Sequence, residues 1–121
     1  MASRDLNLLT QDTRNKYIMF REKMTNAGMD FVVICTYRSQ DEQQGLWNIG
    51  RTEPGNKVTW TLHSKHTTGQ AFDIEILVGG KGTWQVDPYY KQAAIIAQSV
   101  GLTWGGDWGD NDHFQSVPKD V

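Results

Sequence analysis

The chain of 121 residues is poor in cysteine and proline, with one and three of them. It also lacks any apolar run near the roughly 20 residues that a membrane-spanning helix needs. A single thiol excludes an internal disulfide. Cys35 lies in the apolar run Phe31-Val32-Val33-Ile34-Cys35 and reads as a buried structural thiol. Charge of one sign is missing too: 12 basic against 14 acidic side chains leave a formal net charge of −2. That balance offers no basic face for nucleic acid. The segment from Met1 to Asp12 has neither the basic start nor the apolar core of a secretory leader. Synthesis in a cytoplasm, no stable membrane association and export by other machinery are therefore expected. What is present is globular: 38% apolar residues and 11% aromatic ones, five of them Trp. The length suits a single domain over 1–121, read as a monomer with no separate module beside it.

Helical spacing of Ile18, Phe20, Met24 and Ala27 predicts a helix from Thr10 to Gly28, capped by Thr10 or Asp12. Asp30 to Thr36 reads as a buried strand. Ser39 to Gly50 reads as a second helix, because Ser39 and Glu42 make a capping box and Leu46 and Trp47 can face inward. Pro54-Gly55-Asn56 marks a turn, and Thr61 to Gln70 is polar and irregular. In the strand Ala71 to Val78, Phe72, Ile74 and Ile76 point one way and Asp73 and Glu75 the other. A turn at Gly79 to Gly82 leads to a return strand at Thr83 to Val86. Pro88 to Val100 is the strongest helix signal, with Gly101 at its end. The tail, Leu102 to Val121, is rich in Gly, Asp and Trp. Mixed helices and strands without a βαβ rhythm imply an α+β fold with a small, largely antiparallel sheet flanked by helices.

Three histidines stand in the chain: His63, His66 and His113. The loop after His66 lets it fold back toward Asp73, which strand alternation turns to the open face. Asp110-Asn111-Asp112-His113 brings a second imidazole with two acids. Two His and one Asp form a three-donor set with an open fourth position, the pattern of a catalytic zinc site. A bend, which Gly109 can supply, is needed to bring Asp110 and His113 to one side. His63 is three residues before His66 and reads as a solvated loop residue, with competition for the metal as its other reading.

Ser64-Lys65-His66-Thr67-Thr68-Gly69-Gln70-Ala71-Phe72-Asp73 resembles the Ser-x-His-x-x-Gly-x-Ala-x-Asp signature of the zinc D-Ala-D-Ala carboxypeptidase and L-alanyl-D-glutamate endopeptidase family. Asp110-x-x-His113 resembles its second motif, and Tyr37-Arg38-Ser39 with Gln43, Leu46 and Trp47 its upstream segment. Gly50-Arg51-Thr52, Pro54-Gly55 with Val58-Thr59, and Trp104-Gly105-Gly106-Asp107-Trp108 resemble the phage endolysin branch. The likeness runs in order from about Asp30 to Gln115. It implies the Hedgehog/DD-peptidase-like fold, and Zn²⁺ held by His66, Asp73 and His113. It further implies Asp110 as general base toward the attacking water and Arg38 as stabiliser of the scissile carbonyl. Asp112, also beside His113, is a competing base. Ser64 either binds substrate or holds its turn. Gln43 either orients Arg38, touches substrate or is a surface amide. Trp104 and Trp108 read as core packing, with a groove wall as the other reading.

The implied function is a zinc-dependent peptidase that cuts the peptidoglycan stem peptide, at the L-alanyl-D-glutamate bond, as a phage endolysin that crosses the membrane through a holin. A D-Ala-D-Ala carboxypeptidase or cytosolic dipeptidase, and a non-catalytic wall-peptide-binding module of the same fold, are the other readings.

Overall fold

The computed structural model describes residues 3–119. Among these, three α-helices and five strands form one α+β unit: α1 (Gln11–Asn26), β1 (Asp30–Cys35), α2 (Gln40–Asn48), β2 (Ala71–Val78), β3 (Lys81–Thr83), α3 (Lys91–Ser99), β4 (Thr103–Trp104) and β5 (His113–Gln115). The sheet is antiparallel throughout, in the order β1-β2-β5-β4, with β3 also paired to β2. Strand β2 is its spine. One edge pairs with β1; the other pairs with β5 at Ala71 to Asp73 and with β3 at Ile76 to Val78.

Alternation along β2 sorts the two faces. Phe72, Ile74 and Ile76 are buried and, with Phe114 of β5, meet Tyr17, Phe20 and Met24 of α1 and Ala93 and Ala97 of α3. The aromatic rings interlock: Phe72 stacks on Phe114 at 5.8 Å, and Tyr17 meets Phe72 edge-on at 5.1 Å. Such pairs add about 0.5–1.5 kcal/mol each beyond their buried area. Asp73 turns to the opposite face, as its register demands.

Several boundaries differ from the sequence reading. The inward stripe of α1 is Thr13, Tyr17, Phe20 and Met24, while Ile18 is 43% exposed. Strand β1 is an edge strand, and its Val32 is 42% exposed. Gly79 and Gly80 both take left-handed backbone (φ 59° and 79°), which makes a two-residue hairpin loop. Pairing therefore restarts at Lys81, two residues before the expected return strand. The last helix starts later than Pro88: Asp87 is extended ahead of the proline, a wide turn spans Val86–Tyr90, and α3 begins at Lys91. The capping box of Ser39 and Glu42 is present as read.

Candidate metal centre and active site

Strand pairing assembles the centre. β2 and β5 align with Asp73 opposite His113, so both side chains leave the sheet on the same face, away from Phe72 and Phe114. A register shift between Val33 and Cys35 sets Cys35 across from Asp73 on the other side. His66 arrives from a short 3-10 turn, Lys65–Thr68, whose first backbone amides are capped by Ser64 Oγ at His66 N, 3.2 Å away.

Hydrogen-bond chemistry fixes both imidazoles. The carbonyl of Thr36 can only accept, so His66 Nδ1–H donates to it at 2.8 Å and Nε2 is left bare. Gln115 donates its amide N–H to the carbonyl of Val117 at 2.9 Å, which turns Oε1 toward His113. His113 Nε2–H donates to that oxygen at 2.8 Å, leaving Nδ1 bare. Both bare nitrogens point at the same carboxylate oxygen, Asp73 Oδ1, each at 3.1 Å. Three lone-pair donors that face one another call for a cation among them. Two imidazoles and a carboxylate are a donor set that fits Zn²⁺ with one open position, and Thr36 O and Gln115 orient the rings as outer partners do at metal sites.

The titration behaviour has the same origin. Burial disfavours charge on His66, yet its hydrogen bond to Asp73, with help from Cys35, outweighs burial and pushes the imidazole up to about 10. Burial alone would raise Asp73, but hydrogen bonds from His113 and His66 prevail and hold its carboxyl well below the usual carboxylate range.

Cys35, His66 and Asp73 also lie close enough to suggest a different trio. The ring geometry speaks against it. Cys35 Sγ sits 3.6 Å from Nδ1 of His66, the nitrogen already given to Thr36, whereas Asp73 meets Nε2 on the other side of the ring. Cys35 is buried as expected, but it is more than inert filling, since Arg38 Nη2 also lies 3.7 Å from its sulfur.

The acids near His113 are arranged by a turn. Gly109 has left-handed backbone (φ 83°), and His113 N–H donates to Asp110 O at 3.2 Å. This is the bend the sequence required. Gly105 lies against it so closely that a Cβ there would come within 2.9 Å of His113 Cβ. Asp110 Oδ2 stands 3.7 Å from His113 Nδ1, and its side chain is 51% exposed. Asp112 is more enclosed: burial, then the Asp73 and Asp110 carboxylates, push it up to about 7. Its backbone carbonyl accepts from Ile74 N–H at 3.0 Å, which ties this turn to β2.

Arg38 lies on the Nδ1 side of His66, beyond Cys35, with its backbone N–H donating to His66 O at 3.2 Å. Its Nη1 donates to Gln43 Oε1 at 2.8 Å. Gln43 is fully buried, and its amide nitrogen donates to Thr61 O at 2.7 Å and to Thr59 Oγ1 at 3.2 Å. The expectation that Gln43 touches substrate is therefore corrected: every polar atom of its side chain is used inside the protein, and it orients Arg38. A cleft of about 620 Å³ opens beside His113 and is lined also by Asp110, Trp108, Thr59, Trp60 and Ser64. Trp108, read as core, thus lines the cleft, with its ring 6.1 Å from that of His113. Trp104 is half-buried against the core cluster. His63 also lines the cleft. The sequence reading missed Thr36 and Gln115. Gln115 had a visible signal, since alternation along His113-Phe114-Gln115 puts it on the face of His113.

An antiparallel sheet that presents a His/Asp/His donor set beside a carboxylate is a centre able to hold a metal with one open position. Residues 57–116 match the family described as D-alanyl-D-alanine carboxypeptidase. The chain is 32% identical over 108 residues to the peptidoglycan L-alanyl-D-glutamate endopeptidase CwlK of Bacillus subtilis, covering 78% of this chain and 65% of that protein. It is 27% identical over 116 residues to the L-alanyl-D-glutamate peptidase of a Listeria phage, covering 92% of this chain and 39% of that one. The chain thus spans under two thirds of the length of either relative. Its fold superposes on the L-Ala D-Glu endopeptidase ChiX of Serratia marcescens with a TM-score of 0.76 at 25% identity, over 97% of this chain and 89% of that one. The LD-carboxypeptidase LdcB shares the fold at a TM-score of 0.71 and 18% identity, over 93% of this chain and 60% of that one. These likenesses support the family that the motifs resemble, that of the D-alanyl-D-alanine carboxypeptidases and L-alanyl-D-glutamate endopeptidases.

Proposed function

We propose that this protein is a zinc-dependent peptidase that hydrolyses the peptidoglycan stem peptide between L-alanine and D-glutamate. The observation that carries the reading is the convergence of two bare imidazole nitrogens on Asp73, beside the half-exposed carboxylate of Asp110 at the cleft. The named activities of the Bacillus, Listeria phage and Serratia relatives support the choice of bond. The phage relative also supports a role as an endolysin. Among the described residues no helix is long and apolar enough to cross a membrane.

His66, Asp73 and His113 would hold the metal. A bound Zn²⁺ supplies Lewis acidity toward a water molecule and the scissile carbonyl. Asp110 takes the proton of the attacking water and returns it to the departing amine as the C–N bond breaks. Its exposure fits that task, because the carboxylate can face water and substrate in turn. Arg38 contributes a fixed positive charge beside the developing oxyanion, held in place by Gln43. Ser64 Oγ accepts from His66 N–H, which leaves its own O–H free to donate to a substrate carbonyl in the cleft.

Digestion of purified peptidoglycan followed by mass spectrometry tests the reading. New amino-terminal D-glutamate is expected. Release of terminal D-alanine would instead make the protein a carboxypeptidase, as the description of the matching family would have it. An intact wall beside a stoichiometric failure to bind zinc would leave a binding module.

A further inference from the structure

The cleft rim carries an aromatic ring that the proposed hydrolysis does not use. Trp60 is 76% exposed, more than any other large hydrophobic side chain among the described residues. Trp84, also exposed, at least stacks on Tyr90 at 6.1 Å. Trp60 instead has cations beside it, Lys57 Nζ at 5.6 Å and Arg51 Cζ at 5.8 Å from the ring centre. The backbone that displays it is fixed on both sides. Arg51 Nη2 donates to Thr59 O at 3.1 Å, and Gln43 Nε2 donates to Thr61 O at 2.7 Å. Arg51 is itself braced, with its guanidinium 3.5 Å above the Trp47 ring and Nη1 donating to Trp47 O at 2.6 Å. A large apolar surface held rigidly in water beside a catalytic cleft is a recognition feature.

We propose that Trp60 is the stacking platform for a sugar ring of the glycan strand, on the amino side of the scissile bond. This rests on the L-alanyl-D-glutamate reading. The stem residues at that bond offer a methyl group and a carboxylate, and neither covers an indole. The sugar to which the stem is attached lies one residue from that bond and presents a face of C–H groups. Indole binds such a face while its rim contacts water, and Lys57 can donate to the sugar's hydroxyl and acetamido oxygens. A bond at the far, D-alanyl end of the stem would put the sugar several residues from the centre, out of register with a platform at the cleft mouth.

Two measurements test this. The first is an NMR titration of the Trp60 indole N–H, assigned with Trp60→Phe, using the peptide-free disaccharide of N-acetylglucosamine and N-acetylmuramic acid. The Trp60 resonance is expected to move. The second compares kcat/KM on a disaccharide-bearing muropeptide with kcat/KM on the matching sugar-free peptide. Trp60→Ala should lower that preference about tenfold, the size of one aromatic stacking contact, and Trp60→Phe should restore most of it. An unmoved Trp60 resonance, or a preference that survives Trp60→Ala, overturns the proposal. The cleavage reading fails separately. A parent enzyme that releases D-alanine loses the L-alanyl-D-glutamate assignment and with it the placement of the sugar beside the scissile bond, even where its Trp60 still answers the disaccharide.

Discussion

The metal centre and the cleft rim are built by different means. At the centre, His66 and His113 are 2% and 5% exposed, and Asp73 and His113 rise from paired strands whose other face is packed aromatic core. At the rim, Val58 and Trp60 are 59% and 76% exposed, and the segment is held by a few side chains, chiefly Gln43 and Arg51. Chemistry that needs fixed lone-pair directions sits where packing and sheet register leave little freedom. Recognition sits on a loop that borrows its rigidity from pins. Gln43 joins the two, because one buried amide holds both Arg38 and Thr61.

Breaking the centre should have the largest effect. His66→Ala, Asp73→Ala and His113→Ala each leave two protein donors, too few for a tight site. Zinc content by elemental analysis and wall-lysis rate should vanish together; a variant that keeps both removes that residue from the ligand set. Next comes Arg38→Lys, in which a point charge on a flexible stem replaces a planar fork held by Gln43. Turnover should fall on the order of 10²–10³-fold, the usual worth of one oxyanion donor, with zinc content unchanged. Gln115→Ala frees the tautomer of His113 without touching a donor. Zinc affinity, read by competition with a chelator, should weaken by about 10–100-fold. The smallest effect is expected where the regions meet. Gln43→Ala removes the buried hydrogen bonds to Arg38 and to the Thr61 carbonyl, to which the Thr59 hydroxyl still donates at 3.3 Å, and should cost about 1–3 kcal/mol in denaturant unfolding, with a near-normal zinc affinity.

Much of the centre was legible because its signals are local. The alternation of Phe72, Ile74 and Ile76 against Asp73 and Glu75 is a period of two written along one strand, and it correctly turned Asp73 to the open face. The capping box at Ser39 and Glu42 is a four-residue pattern with its own hydrogen bonds. The strands β4 and β5 escaped notice because two and three residues are too short to show a period. Their pairing is set by β2, remote in sequence from both, and by the turn after Gly109. Ile18 was misplaced for a related reason: hydrophobicity alone does not separate it from the Tyr17 and Phe20 stripe that the sheet selects. The partner of His113 was within reach by alternation, whereas Thr36 O, a backbone atom, carries no mark in the sequence.

The central claim is that three side chains bind the metal while a fourth, Asp110, moves the proton. Asp110→Asn keeps size and a hydrogen-bonding oxygen but removes the basic site. Zinc content and wall-lysis rate should be measured in this variant beside Asp112→Asn, whose carboxyl is enclosed among other acids. The account predicts full zinc in Asp110→Asn, turnover reduced by roughly 10²–10⁴-fold, and a much smaller loss in Asp112→Asn. An active Asp110→Asn beside a crippled Asp112→Asn would give the proton transfer to Asp112, and loss of zinc from Asp110→Asn would contradict the three-donor site itself.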